Sequence, residues 1–373
     1  MSERKLATIQ VIENITPIQN ADKIEVAHIL GWECVVKKDE FKIGEKVIYC
    51  EVDSVMPDKP EYEFLRERKF RIRTIKLRGQ ISQGLVLPLS VLNKNTKAIV
   101  DCDVTDIIGI TKYLSPSERK EEEDIERQIQ RQNKVKRFMM RYSWFRKLFL
   151  SRKQKSGFPF WVNKTDEPRI QNLPHILEQF AEDDVYITEK IDYQSTTFTG
   201  QLIPKYSGLL GRIIKTKKYK FVVCSRNLTT NDKNSLYWQI AKQYHIEDIL
   251  NFNPHLTIQG EQGNTKVQGN KYGIKENKFW VFNIINHATS YQYNYNEMVA
   301  FCERWGLTPV PLIKECKIKD IGTTVSEWVD YAKGQSVLAN VPREGVVVRS
   351  IKNGQKLLSF KVINNEFLLK YEN

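Results

Sequence analysis

Tyr186-Ile187-Thr188-Glu189-Lys190-Ile191-Asp192-Tyr193-Gln194-Ser195-Thr196-Thr197-Phe198 decides how the second half of this chain is read. β-Branched and aromatic residues crowd both ends and polar residues fill the middle. The stretch therefore predicts a strand, a tight polar turn and a second strand. At the turn Lys190 stands between two carboxylates, Glu189 and Asp192. Alone, that pattern fits a surface hairpin with an ion pair better than a reactive centre. The segments that follow change the balance. They are, in order, Ser225-Arg226-Asn227, Gly260-Glu261, Phe279-Trp280-Val281-Phe282-Asn283-Ile284, Glu344-Gly345-Val346-Val347-Val348-Arg349 and Ser359-Phe360-Lys361.

Outward from that stretch, the chain has 373 residues, which favours two domains over one. No apolar run approaches the roughly 20 residues a membrane span needs. Met1-Ser2-Glu3-Arg4-Lys5 has no apolar segment behind it, so no signal peptide is expected. Cys34, Cys50, Cys102, Cys224, Cys302 and Cys316 are scattered, with no C-x-x-C pair. That argues against a zinc site or a disulfide framework and predicts a cytoplasmic protein. The net charge of +13 favours a polyanionic partner through counterion release, though charge alone is a weak indicator.

Residues 1–110 read as all-β. Ala7–Ile12, Ile24–Leu30, Trp32–Val36, Lys46–Val52, Phe70–Arg78 and Gly84–Pro88 are short strand patterns separated by turn residues. Strands at this spacing predict a small barrel of the OB type. In Phe70–Arg78 the basic side chains Arg71, Arg73, Lys76 and Arg78 share a stripe. It either tracks a nucleic-acid backbone or is a solvated strand face.

Residues 111–157 change character. Ser115-Pro116-Ser117-Glu118 is a helix start with a capping box, and the helix begins acidic, as its dipole favours. From Arg127 to Thr165 there is no acid, and basic residues interleave with Phe138, Tyr142, Trp144, Phe145 and Phe149. Such a segment can lie on nucleic acid, on a membrane surface, or dock as a linker. From Phe158 onward strands dominate, broken by helices near Tyr237–Tyr244, Tyr295–Trp305 and Thr324–Lys333, so an α+β domain with antiparallel sheets is expected over 158–373.

The ordered segments resemble the covalent nucleotidyltransferases, polynucleotide ligases and capping enzymes. Lys164-Thr165-Asp166-Glu167 with Arg169-Ile170-Gln171-Asn172, Gly260-Glu261 followed by Gln268-Gly269-Asn270-Lys271-Tyr272-Gly273, and Ser359-Phe360-Lys361-Val362-Ile363 narrow the likeness. The whole resembles ATP-dependent RNA ligases with an OB domain ahead of the nucleotidyltransferase domain. The likeness is close over 158–373 and looser before it.

The resemblance implies a role for each residue. Lys190 would attack the α-phosphate of ATP, leaving AMP covalently on its nitrogen. A free lysine pKa is about 10.4, so at neutral pH it must fall by roughly three units, worth about 4 kcal/mol. Lys361 and a divalent metal would supply that, and Lys361 would neutralise the α-phosphate. Asp192, Glu261 and Glu344 are the implied ligands of Mg²⁺ or Mn²⁺. Phe282 would stack on adenine, Glu189 and Ile170 would line the base pocket, and Arg169, Arg226 and Glu261 would complete the nucleotide site. AMP would then pass to an RNA 5′-phosphate, and a 3′-OH would displace it.

Two positions depart from the family pattern. Tyr193 stands where the lysine motif has glycine, so either the turn differs or the residue occupies an ordinary backbone region. Ser359 stands where many relatives have a second lysine. Few residues follow Lys361, which favours an RNA ligase over enzymes with a C-terminal OB domain. The expectation is a monomeric, membrane-free ATP-dependent RNA ligase that seals 3′-OH/5′-PO₄ breaks, at nicks in duplexes. Arg71, Arg73 and Arg78 would help to grip the RNA. The rivals are a nucleotidyltransferase acting on DNA and an inactive ligase fold that only binds nucleic acid.

Overall fold

A computed structural model describes residues 4–92, 96–114, 119, 157–164, 166–205, 216–351 and 358–371. The expected cap at Ser115–Glu118 and nearly all of the basic segment 111–157 lie outside the described residues, as does Thr165. The chain forms two compact units. One comprises Met1–Leu148, Ile170–His175 and Asn365–Asn373; the other comprises Phe149–Arg169 and Ile176–Asn364.

In the first unit alternation sets the strands. Trp32, Cys34 and Val36 of Trp32–Lys37 are buried while Glu33 and Lys37 face out. Asn14–Pro17, Ile24–Ile29 and Trp32–Lys37 form an antiparallel meander. Ala7–Val11 and Leu85–Pro88 flank Lys46–Cys50, with Ile9 and Leu87 both opposite Ile48. One core joins these sheets through Ile9, Ile29, Trp32, Ile48 and Tyr49.

The stretch Phe70–Arg78 is not one strand. Phe70 and Arg78 have φ of 58° and 49°, which breaks the extended run at both ends. Arg71–Ile72 pairs with Ser54–Val55, whereas Thr74–Leu77 forms a hairpin with Gln80–Gln83. The basic stripe is therefore divided. Arg71 is held by Asp53 at 2.8 Å and lies 3.6 Å from the centre of the Tyr113 ring, while Lys76 and Arg78 remain exposed.

The second unit holds two antiparallel sheets. One runs in the order Leu312–Lys317, Asp184–Lys190, Gly345–Ser350, Ser359–Ile363. The other runs Lys217–Cys224, Gln194–Pro204, Leu256–Gly263, Lys278–Asn286, Tyr291–Gln292, with Thr308–Pro309 added parallel to Lys278–Asn286. The opening stretch is indeed strand, turn, strand. Its two strands do not pair as a hairpin, however: Asp184–Lys190 belongs to the first sheet and Gln194–Pro204 to the second. Ile191-Asp192-Tyr193 carries the chain across, leaving Lys190 at the end of a strand. Helices Leu236–Gln243, Tyr295–Trp305 and Val325–Ala332 occupy the expected places. Asn294 with Glu297 and Thr324 with Glu327 cap the latter two through reciprocal boxes. Helices Ile246–Phe252 and Asn365–Tyr371 were not foreseen.

Candidate active site

Lys190 ends its strand opposite Gly345. That register brings its ammonium onto the carboxylate of Glu344, the residue before Gly345. Glu344 is held by its backbone: Asn364 N–H donates to its carbonyl at 2.8 Å. Arg343 beside it is buried and donates to the carbonyls of Tyr331, Ala332 and Lys333, closing the end of helix Val325–Ala332. Burial pulls the Lys190 pKa down, but Glu344, with Asp192 and Glu261, outweighs it and holds the lysine above its ordinary value. The depression expected of a nucleophile is thus not present in the resting site. Its own counterion keeps the ammonium charged.

Lys361 lies opposite Val347 in the neighbouring strand pair, and its N–H donates to Pro168 O at 2.8 Å. Burial pushes its pKa down to about 8; Arg169 and Lys190 push the same way and Asp166 opposes them. Asp166 accepts from Lys361 Nζ at 2.8 Å and lies 3.5 Å from Arg226. Next to it, Glu167 bonds Arg349 at 2.8 Å and accepts from Ser359 Oγ at 2.6 Å. Arg349 is almost fully buried and also donates to Phe282 O at 2.6 Å. The family's second lysine position is thereby filled by a hydroxyl that anchors Glu167. Asp166 and Glu167 form an acidic strap over the cations of two strands. Sequence reasoning quoted both without giving them a role. The available signal is that they are the first acids after the acid-free stretch from Arg127.

Glu189 is buried, and its Oε2 accepts from Val337 N–H at 2.7 Å. Phe282 is half-buried and packs on the core of the second sheet. Ile170 belongs to the first unit, where it opens a short turn; Arg169 belongs to the second. Glu261 sits opposite Ser195 and Trp280, just after a bulge at Gly260. A Cβ at Gly260 would stand 2.3 Å from the Phe279 ring, so only glycine allows that approach. Burial raises the Glu261 pKa to about 8.

The three implied metal ligands differ in what they touch. Asp192 is ion-paired with Lys271. Glu261 Oε2 and Glu344 Oε2 are buried without a hydrogen-bond partner. Among the described residues no three acidic, histidine or cysteine side chains gather into a ready metal cluster. Two orphaned carboxylate oxygens nevertheless fit a hard cation of the Mg²⁺ type, which commonly takes one or two carboxylates and completes its shell with water and phosphate.

Comparison with known proteins agrees with this geometry. A family model for an OB-fold domain matches residues 6–89, and one for RNA ligase matches residues 183–363. No curated protein matched. Among solved structures, Naegleria gruberi RNA ligase with pyrophosphate is 28% identical, with a TM-score of 0.77 and 99% of both chains covered. A mutant of that ligase with AMP and Mn is 27% identical, with the same TM-score and coverage. Another, with ATP and Mn, is 28% identical with a TM-score of 0.77, covering 99% of this chain and 100% of that one. With an OB-fold domain ahead of an RNA ligase domain, and RNA ligase structures matching along its whole length, the chain is an ATP-dependent RNA ligase.

Proposed function

We propose that this ligase seals 3′-OH/5′-PO₄ breaks at nicks in duplex RNA through a lysyl-AMP adduct on Lys190. The observation that carries the reading is the pairing of Lys190 with Glu344 in a site that also holds Lys361. It joins the nucleophile and a phosphate-neutralising cation from two strands of one sheet with a counterion from the residue just ahead of a third. ATP is the nucleotide and Mg²⁺ or Mn²⁺ the metal; the similar structures with ATP, AMP and Mn support both.

Lys190 Nζ attacks the α-phosphate and pyrophosphate leaves. To do so the ammonium must lose a proton, and Glu344 is the carboxylate nearest to it. Lys361 and Arg226 leave Asp166 to meet the phosphates, and Lys361 neutralises charge that develops in the transition state. A cation on Glu261 and Glu344, with Asp192 once Lys271 releases it, would neutralise phosphate charge and weaken the hold on the Lys190 proton. Phe282 stacks on the base, while Glu189, Ile170 and Arg169 complete its surroundings. Positioning and charge neutralisation then serve the transfer to the RNA 5′-phosphate and the final attack by the 3′-OH. Residues 1–110 and 111–157, with Arg71, Arg73 and Arg78, grip the RNA, and 158–373 carry the chemistry. The enzyme works as a cytoplasmic monomer. Among the described residues no helix is long and apolar enough to cross a membrane.

Incubation with α-³²P-ATP and Mn²⁺ tests the first step. Labelled protein is expected from the wild type and not from Lys190→Ala. No label on folded, initially unadenylylated wild type with either metal would overturn the reading. Nicked duplexes with RNA or DNA on the 3′-OH side then test the substrate, and equal sealing of both would remove the preference for RNA.

A further inference from the structure

Tyr193 occupies the family's glycine position without adopting a left-handed backbone; its φ is not positive. Its ring is 6% exposed. It stacks on Trp280 at 5.9 Å and 6°, and meets Tyr272 at 5.2 Å. The space it fills exists because Gly263 has no side chain. A Cβ there would lie 2.7 Å from the Tyr193 ring.

The same tyrosine ties down the loop that follows Gly263. Its hydroxyl donates to Asn270 Oδ1 at 2.9 Å, and its carbonyl accepts from Gln268 Nε2 at 3.1 Å. Asn270 in turn brackets Ile274, accepting its N–H and donating to its carbonyl, both at 2.9 Å. Between these anchors Gln268, Gly269 and Asn270 have φ of 48°, 68° and 47°. Successive left-handed residues persist only where their surroundings over-determine them. The loop returns two contacts to the nucleophile's turn: Tyr272 OH accepts the Asp192 N–H at 3.0 Å, and Lys271 pairs with the Asp192 carboxylate.

Building on the lysyl-AMP reading, we propose that Tyr193 is a positioning residue for adenylylation. It clamps the loop Asn264–Ile274 so that Lys271 and Tyr272 fix Asp192, two residues beyond Lys190. Lys271 is then the cation that holds the Asp192 carboxylate until a metal replaces it. The loop thereby couples metal arrival to the shape of the turn that carries the nucleophile.

Tyr193→Phe keeps the stacked ring and removes only the hydroxyl on Asn270. Single-turnover adenylylation should slow about tenfold, in line with the loss of one buried hydrogen bond. The Mn²⁺ concentration at half-maximal rate should rise, with little change in KM for ATP. Asn270→Ala should do the same, and the double variant should be no slower than the slower single, because both remove one clamp. Tyr193→Gly, which restores the family residue, should be slower than Tyr193→Phe. Thermal melts establish that each variant is folded. Wild-type rate and Mn²⁺ dependence in folded Tyr193→Phe would overturn the proposal, as would fully additive losses in the double variant. If the wild-type adduct proves not to lie on Lys190, the underlying reading fails instead, and the Lys190→Ala control separates the two.

Discussion

At the residue scale the two lysines stand in the opposite protonation order from the one the chemistry needs. On the proposed chemistry Lys190 must be neutral to attack, yet Glu344 holds it above its ordinary pKa; Lys361 would have to be charged, yet burial brings it to about 8. Bound phosphate would favour a charged Lys361, and a cation on Glu344 would loosen the hold on the Lys190 proton. The free enzyme therefore has an alkaline limit. kcat/KM reports groups of the free enzyme. Below about pH 8 kcat/KM for ATP in adenylylation should rise as more Lys190 becomes neutral, and as pH passes about 8 Lys361 loses its proton and the rise should level off. Asp166 opposes that loss, so Asp166→Asn should move the break to lower pH, and Lys361→Arg, which stays charged, should abolish it. A wild-type kcat/KM that keeps rising without a break from pH 7 to 9.5 would sink the assignment. The types of these residues were legible in the sequence because they match a family motif. Their pairings were not, because Lys361 and Asp166 are 195 residues apart and Lys190 and Glu344 are 154 apart. Nothing local predicts which acid meets which lysine.

At the element scale, strands could be read from propensity but not their partners. Ile187 and Phe198 are equally good strand residues, yet their strands lie in different sheets, because pairing is decided by Gly345–Ser350 and Leu256–Gly263 much later in the chain. Alternation likewise made Phe70–Arg78 one strand, whereas left-handed residues bound it at both ends and its two halves pair with different partners. The acidic strap had no secondary-structure signal at all. It nevertheless satisfies Arg349, whose side chain is 5% exposed, and joins that strand to Ser359. Removing one member of such a buried pair strands the other charge, which costs about 3–5 kcal/mol. Glu167→Ala should therefore lower stability by about that amount, seen as a shifted urea midpoint at unchanged m value. A loss under about 1 kcal/mol would mean Arg349 is satisfied without Glu167.

At the scale of the whole molecule, length and the break in character near residue 110 suggest more than one domain, and alternation before that break marks strands such as Ala7–Val11 and Trp32–Lys37. What the sequence concealed is that the first unit is assembled from three separate pieces of chain. Trp32 Nε1 donates to Asn172 Oδ1 at 2.6 Å, and Asn172 Nδ2 donates to Glu51 Oε1 at 2.8 Å. Gly31 N–H donates to Gln171 O at 2.9 Å. Gln83 Nε2 donates to Asn365 Oδ1 at 3.1 Å, and helix Asn365–Tyr371 buries Phe367 and Leu368. A fragment of residues 1–114 keeps every described strand of this unit but loses these partners. Trp32 then loses its hydrogen bond to Asn172, worth about 1 kcal/mol, and the cover given by Phe367 is lost, worth about 3–5 kcal/mol. For a domain of this size each kcal/mol shifts Tm by about 4–8 °C. The fragment should therefore melt at least about 15 °C below the full chain. A peptide of residues 365–373 added in trans should recover part of that loss, and the same peptide with Phe367→Ala should not. A fragment that melts with the full chain and ignores the peptide would show that the strands alone stabilise this unit, and that its returning segments are passengers.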